Sequence, residues 1–184
     1  LDTQEVDDVG VSAFLLNACD SYDQGYGLVD NGAMAGIATV TDVVNEAATS
    51  VGRTVARLLN QGFSLAGAVE IIKQYEQIGH HYIVVGDSST SIVKNESGTP
   101  HRAEVENLRN DRYRLTLYGY PRLDTTLGTI FRPHIQEYDP HHLNSGKMCS
   151  VELDRERVTD FLLKQDMPVI TYSGLHWSHN ILDE

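Results

Sequence analysis

An apolar run that stops abruptly before a cysteine constrains this chain more than any other stretch. Residues 11–16 (VSAFLL) are apolar at nearly every position, which is typical of a parallel strand covered by helices on both faces. The run ends at Asn17, and residues 18–21 lead into a polar loop that contains glycines. In open α/β sheets, ligands bind beyond the carboxyl ends of the strands. The sequence therefore predicts that Cys19 lies at the functional edge of a sheet.

The residues after this run alternate between short apolar segments and amphipathic ones. Residues 22–27 are predicted as a loop and 28–33 as one short helical turn. Further strands are predicted over 36–40 and 80–85, and helices over 42–60 and 64–79, from their apolar periods and capping residues. Strands that alternate with helices indicate an α/β fold. We therefore predict an α/β unit with a mostly parallel sheet over residues 1–86.

The second half of the chain differs from the first in residue composition and in the pattern of apolar residues. Residues 87–101 are rich in Ser, Thr, Asn, Gly and Pro, which predicts a linker. Beyond it, residues 113–118 alternate between apolar and polar side chains. A helix is predicted over 155–164, and a last strand over 168–172. Residues 102–184 are thus predicted to form a small α+β appendage of mainly antiparallel strands. No motif in this part of the sequence indicates its role.

Charge and cysteine content narrow the classes of function. The net charge is -12, and residues 1–52 contain no Lys or Arg, which argues against nucleic acid and anionic membranes as partners. No segment reaches the roughly 20 apolar residues that a membrane span needs. Two cysteines without a basic signal segment favour a reducing, cytoplasmic location. The chain begins with Leu1 and not Met, so we expect a processed, excised or truncated product.

The first half of the chain contains an ordered set of segments: LLNACDS, then GLVDNGAMAGIATVTDV, a helix, LLNQGFSLAGAV, and a strand that ends in VVGD. This ordered set resembles a known peptidase family, the CHAT domain. This family belongs to the caspase-like cysteine peptidases, which also include separase. The resemblance covers about residues 9–86 and implies that residues 1–86 are the carboxyl-terminal half of a caspase-like α/β sandwich. The acidic, lysine-poor composition resembles versions of the domain from halophilic archaea.

The resemblance implies roles for individual residues. Cys19 takes the position of the nucleophile, and its backbone N–H is a candidate oxyanion donor. Asn17 matches a position that holds an acidic, P1-reading residue in metacaspases, but an amide stands here. Four further residues are candidates for binding a basic P1 side chain: Asp20, Asp42, Asn45 and Glu46. For Asp42 an alternative stays open, because Asp is also a preferred helix N-cap.

The chain departs from the family at the general base. Family members carry a catalytic His before the Cys, whereas all eight His of this chain follow Cys19. We therefore expect the His in a segment upstream of Leu1 or in a separate subunit. His80 and His81 are predicted at the amino end of a parallel strand, away from the site. The segment 134–142 has the composition of a metal site without a recognised ligand spacing, so no metal or cofactor is predicted.

Three hypotheses of function follow from these residues. The first is a cysteine endopeptidase of the CHAT type that cleaves a protein or peptide substrate after a basic residue, in regulated proteolysis, with the catalytic His outside this chain. The rival is a non-catalytic peptide- or protein-binding module on the same fold. In the third, residues 102–184 carry the function and residues 1–86 act only as a carrier. The sequence upstream of Leu1 discriminates between the first two.

Overall fold

The computed structural model describes residues 9–93, 98–121, 130–133, 135, 141–142 and 146–181. The chain divides into two compact units, residues 1–96 and 97–184. Both units mix helices with strands, so the α/β and α+β character predicted for the chain is confirmed at this level. The candidate nucleophile lies in the first unit.

The first unit is built around a three-stranded sheet with the order β1-β2-β3. Its elements are β1 (Ala13–Leu15), α1 (Tyr22–Asp30), β2 (Ala35–Thr39), α2 (Asn45–Asn60), α3 (Leu65–Tyr75), a 3-10 turn (Gly79–His81) and β3 (Tyr82–Gly86). The central strand β2 is buried along its whole length. The apolar stripes of α2 and α3 are buried, as their helical periodicity predicts. The hydroxyl of Ser64 caps α3 by accepting a hydrogen bond from the Gly67 N–H at 3.1 Å.

The sheet of this unit is mixed, so the prediction of a mostly parallel sheet is wrong for its third strand. β1 and β2 are parallel, with Phe14 beside Gly36. β2 and β3 are antiparallel, with Thr39 beside Tyr82. The reason lies in the connection, which consists of two consecutive helices. The chain leaves the end of β2 through α2 and returns to the same end of the sheet through α3. β3 therefore begins at the edge of the sheet where β2 ends.

The segment after Cys19 is a helix and not the predicted loop. α1 begins at Tyr22, inside the segment predicted as a loop, and Gly25 is the buried residue of this helix. A Cβ atom on Gly25 would lie 3.2 Å from the Cβ of Ala38 and 3.3 Å from the ring of Phe14. A glycine therefore lets α1 approach the sheet closely at this point. Packing against the sheet outweighs the low helix propensity of the glycines that suggested a loop.

The second unit holds a five-stranded sheet with the order β10-β9-β4-β5-β8 and a separate pair of strands, β6 and β7. The strands are β4 (His101–Asn107), β5 (Arg112–Gly119), β6 (Ile130–Phe131), β7 (His141–His142), β8 (Gly146–Asp154), β9 (Pro168–Thr171) and β10 (Gly174–Trp177). The helices are α4 (Arg155–Leu163) and α5 (Ser178–Ile181). Only the β4–β9 pair is parallel among the described strands of this unit, so a mainly antiparallel α+β unit is confirmed.

The core of the second unit lies between its sheet and α4. Alternate residues of β5 and β8 point into it, among them Leu115, Leu117 and Cys149, and they meet Phe161 and Leu162 of α4. The Asp154 carboxylate caps α4 by accepting from the Arg157 N–H at 2.9 Å. The helix predicted over 155–164 and the strand predicted over 168–172 are present as α4 and β9.

Candidate active site at the carboxyl end of β1

The loop between β1 and α1 is fixed by two buried hydroxyl residues. Ser21 and Thr39 are both fully buried. The Thr39 N–H donates to the Ser21 hydroxyl at 3.0 Å, and the Ser21 N–H donates to the Thr39 hydroxyl at 3.3 Å. The Thr39 hydroxyl also donates to the carbonyl of Ala18. Because buried polar groups are costly to leave unpaired, this reciprocal pair holds both ends of the segment that carries Cys19.

Cys19 itself is exposed and free. Its Sγ lies 3.5 Å from the backbone nitrogen of Val43, which donates to it, and 3.7 Å from the Val43 carbonyl oxygen. Val43 stands directly before Val44, the N-cap of α2, near the helix end whose dipole favours negative charge. Within the described part of the chain, Sγ has no imidazole or carboxylate partner. The thiol is therefore accessible and oriented by backbone groups.

Asp20 follows Cys19 in a left-handed backbone conformation, with a φ of 45°. Its N–H donates to the carbonyl of Thr41 at 3.2 Å. Such a conformation costs a non-glycine residue about 1 kcal/mol or more and clusters at functional sites. The bond to Thr41 holds the turn against that cost, and the Asp20 side chain remains exposed.

Three predicted substrate-binding residues lie together around the start of α2. Asp42 is exposed in the loop before the helix, and Asn45 and Glu46 are exposed in its first turn. The N-cap residue is Val44, and no side chain caps the helix. The alternative in which Asp42 serves as the N-cap is therefore wrong. Its carboxylate is one of several acidic groups at this edge of the sheet.

Asn17 has both ends of its amide engaged within the fold. Its Oδ1 accepts a hydrogen bond from the Tyr82 hydroxyl at 2.5 Å, and its Nδ2 donates to the Ala48 carbonyl at 2.8 Å. These bonds connect the end of β1 to the first turn of α2 and to β3. The residue is exposed, and these two bonds fix the orientation of its amide.

Exposed apolar side chains lie at the same edge, and sequence reasoning missed them. The exposed fractions are 41% for Tyr22, 45% for Val40 and 71% for Val44. Tyr22 begins α1, Val40 follows β2, and Val44 precedes α2, so all three lie beside loops that meet beyond the strand ends. No pattern distinguished them, because isolated apolar residues are common on protein surfaces.

His80 and His81 lie at this edge of the sheet, and the prediction that placed them at the opposite edge is wrong. Because β3 is antiparallel, its amino end is level with the carboxyl end of β2, and the Val40 N–H donates to the His81 carbonyl at 2.9 Å. The two imidazole rings are 4.1 Å apart and edge-on to one another. β2 separates them from β1. They are therefore neighbours of the candidate site without a contact to Sγ.

The second unit has an open cleft of about 790 Å³ on the exposed side of β4 and β5. Glu104, Glu106 and Arg114 line it, and the Arg114 guanidinium bridges Glu106 at 2.7 Å and Glu152 at 3.2 Å. All of these charges are solvent-accessible, so their ion pairs contribute little to stability. Among the lining residues there is no cysteine or histidine, and the cleft supplies no nucleophile of the kind found at Cys19.

The described ranges supply neither a metal-binding cluster nor a membrane span. No group of three or more His, Cys, Asp or Glu side chains in those ranges is placed to hold a metal ion. His134, Glu137 and Asp139 of the histidine-rich segment lie outside them. Among the described helices, none is long and apolar enough to cross a bilayer.

Comparisons with known proteins return no relative of this chain. No protein-family model matches it, and no curated protein or solved structure does either.

Proposed function

We propose that this chain carries the nucleophile of a caspase-like cysteine peptidase of the CHAT type, and that Cys19 is that nucleophile. The observation that carries the proposal is the exposed, free thiol at the carboxyl end of β1, with the Val43 N–H 3.5 Å from Sγ. A reacting sulfur needs access for the substrate and a donor for its negative charge. The resemblance over residues 9–86 assigns the same role to the same residue.

The proposed reaction passes through a thioester. The Cys19 thiolate attacks the carbonyl carbon of the scissile peptide bond, so that a C–S bond forms and the carbonyl oxygen becomes an oxyanion, to which the Cys19 N–H donates. The C–N bond then breaks, and the amine leaves with a proton from a histidine. Water attacks the thioester, releases the acid and restores the thiol. In this proposal the histidine comes from a segment upstream of Leu1 or from another subunit.

The exposed edge of β1 suits such an addition. β1 is apolar and half-buried, and within the described residues it pairs only with β2. Unpaired backbone groups on a half-buried strand favour pairing with a further strand. The family His follows such a strand, which would bring an imidazole to the end of the sheet where Cys19 lies. His81 is not proposed for this role, because β2 lies between its strand and β1.

The side chains around the thiol suggest the class of substrate. Asp20, Asp42 and Glu46 supply exposed negative charge, and Tyr22 and Val44 supply exposed apolar surface. Carboxylates near the nucleophile favour a basic residue at P1, and the apolar residues favour contact with an extended protein segment. We therefore propose regulated cleavage of a protein substrate after Arg or Lys, in the cytoplasm, where the two free cysteines would remain reduced.

Hydrolysis of paired peptides tests the nucleophile and the P1 pocket together. In the full-length gene product, a reporter peptide with Arg at P1 should have a higher kcat/KM than one with Ala. Cys19→Ala should abolish the cleavage of both. Because exposed ion pairs contribute up to about 1 kcal/mol, Asp42→Asn with Glu46→Gln should lower kcat/KM about fivefold for the Arg peptide only.

Asp30→Asn is the matched control for these variants. Asp30 is an exposed acid at the far end of α1, so its loss removes the same kind of charge away from the site and should leave both rates unchanged. If kcat/KM falls equally for the Arg and Ala peptides in Asp42→Asn/Glu46→Gln, the proposed pocket for a basic P1 residue is refuted. Cleavage that survives Cys19→Ala would refute the nucleophile.

A binding module without catalysis is the second candidate, and one observation favours it. In the described chain, the partners of Sγ are backbone atoms of Val43, and a thiol without a base is a poor nucleophile. This candidate predicts that Arg-containing peptides bind with equal affinity to the wild type and to Cys19→Ala, and that neither protein cleaves them. A residue other than His in the family's base position would support it.

A further inference from the structure

We propose that Asn17 and Tyr82 are positioning residues that set the place of the Cys19 thiol. This inference rests on the proposed role of Cys19 and assigns Asn17 a task other than reading the substrate. Tyr82 is fully buried and lies in β3, 65 residues along the chain from Asn17. Its hydroxyl reaches the Asn17 Oδ1 at 2.5 Å. The two residues thereby connect the outer strands of the sheet at the edge where the site lies.

The connection continues from Asn17 to the backbone that holds the sulfur. The Asn17 Nδ2 donates to the carbonyl of Ala48 at 2.8 Å, in the first turn of α2. The Ala48 N–H in turn donates to the carbonyl of Val44 at 2.8 Å. Val44 directly follows Val43, whose N–H and carbonyl meet Sγ. Asn17 therefore fixes both sides of the contact, because it also stands two residues before Cys19.

The direction of the Tyr82 hydrogen bond is fixed by the Asn17 amide, whose NH₂ group donates to the Ala48 carbonyl and leaves Oδ1 facing the hydroxyl. Burial raises the pKa of Tyr82, and the nearby Glu76 carboxylate raises it further. The hydroxyl thus keeps its proton and acts as the donor, and the Asn17 Oδ1 accepts. The Asn17 amide is left with its NH₂ group directed at Ala48. This arrangement excludes an amide flip, which would place Oδ1 against the Ala48 carbonyl, a group that can only accept.

Gly52 provides the space that the Asn17 amide occupies. It lies inside α2, and a Cβ atom there would stand 2.9 Å from the Asn17 Nδ2. Glycine in a helix interior destabilises the helix relative to alanine. Position 52 therefore separates two effects, because Gly52→Ala should favour the helix and at the same time displace the amide.

The test measures alkylation of Cys19 by iodoacetamide in the whole 184-residue chain. The loss of one hydrogen bond is worth about a fivefold change in an equilibrium. Because a displaced loop weakens the Val43 contact to the sulfur, Tyr82→Phe and Gly52→Ala should each slow the alkylation about fivefold. The melting temperature of Gly52→Ala should stay close to that of the wild type, because the gain in helix propensity offsets the lost hydrogen bond. Tyr82→Phe should slow alkylation less in the Asn17→Ala background, since the two residues act through one contact.

Cys149 serves as the reference thiol in the same samples, because it lies in the second unit and the substitutions lie in the first. It is buried, and burial raises the pKa of its thiol, so its alkylation requires the second unit to open. An unchanged or faster rate at Cys19 in Gly52→Ala would overturn the inference, and so would a slower rate matched by an equal slowing at Cys149. Iodoacetamide is not a peptide, so the outcome does not depend on turnover. A failure of peptide hydrolysis would refute the proposed function and leave this measurement intact.

Discussion

Gly36→Ala is expected to destabilise the first unit by about 2–3 kcal/mol, the upper part of the range for overpacked cores. Gly36 lies in the buried strand β2, beside Phe14 of β1. A Cβ atom there would stand 2.2 Å from the nearest atom of the Phe14 ring. The ring also packs close to α1, since a Cβ atom on Gly25 would lie only 3.3 Å from its Cε2 atom. Either β1 moves or the ring leaves its place.

Hydrogen exchange is the suitable measurement for this variant. The lone Trp177 lies in the second unit, so its fluorescence does not report on the first. Amides of β2 should exchange faster in Gly36→Ala, and those of β5 should not change. Phe14→Ala should rescue part of the loss, so that the double variant is more stable than the sum of the single effects indicates. Additive losses would contradict the steric explanation.

Gly79→Ala is expected to cost more, at least about 3 kcal/mol, because the obstacle is backbone and not a side chain. A Cβ atom on Gly79 would lie 1.9 Å from the carbonyl oxygen of Ile72 and 2.4 Å from its carbon. Ile72 belongs to the last turn of α3, which precedes the return to β3. No rotamer change relieves this overlap. The last turn of α3 must unwind, or the 3-10 turn must move away.

We expect the loss of stability in Gly79→Ala to begin next to the substituted residue. Amides at the end of α3 and in β3 should lose protection first in Gly79→Ala, by hydrogen exchange. Gly52→Ala is the matched control, because the nearest obstacle at that position is the tip of the Asn17 side chain, and it should not lower stability. A Gly79→Ala protein as stable as the wild type would show that the turn between α3 and β3 is placed differently.

Periodicity predicted the elements of this fold well where one apolar stripe dominates. α2, α3 and α4 lie where their stripes predict. α1 was missed, because Gly25 and Gly27 suggest a loop, and the close packing of Gly25 against Ala38 involves a residue in another strand. The direction of β3 was missed for a similar reason. Apolar patterns locate a strand but do not show that two consecutive helices reverse its direction.

The site was predictable in part. The position of Cys19 at the end of β1 follows from an apolar strand that stops at a polar loop, whereas its role and those of the acidic residues near α2 rest on the family resemblance. The buried Ser21–Thr39 pair and the Tyr82–Asn17 bond involve residues that are distant in sequence, and no local pattern links them. The edge occupied by His80 and His81 depended on the direction of β3. Because the direction of β3 was predicted wrongly, both histidines were predicted at the wrong end of the sheet.

Covalent labelling of the full-length gene product by a peptide electrophile with Arg at P1 tests the central claim most directly. If Cys19 is the nucleophile of a peptidase with a basic pocket, mass spectrometry should find rapid modification at Cys19, much slower modification with Ala at P1, and none at this position in Cys19→Ala. Cys149 supplies the rate of an unassisted, buried thiol. Labelling of Cys19 at a rate independent of the P1 residue and no faster than at Cys149 would contradict the account.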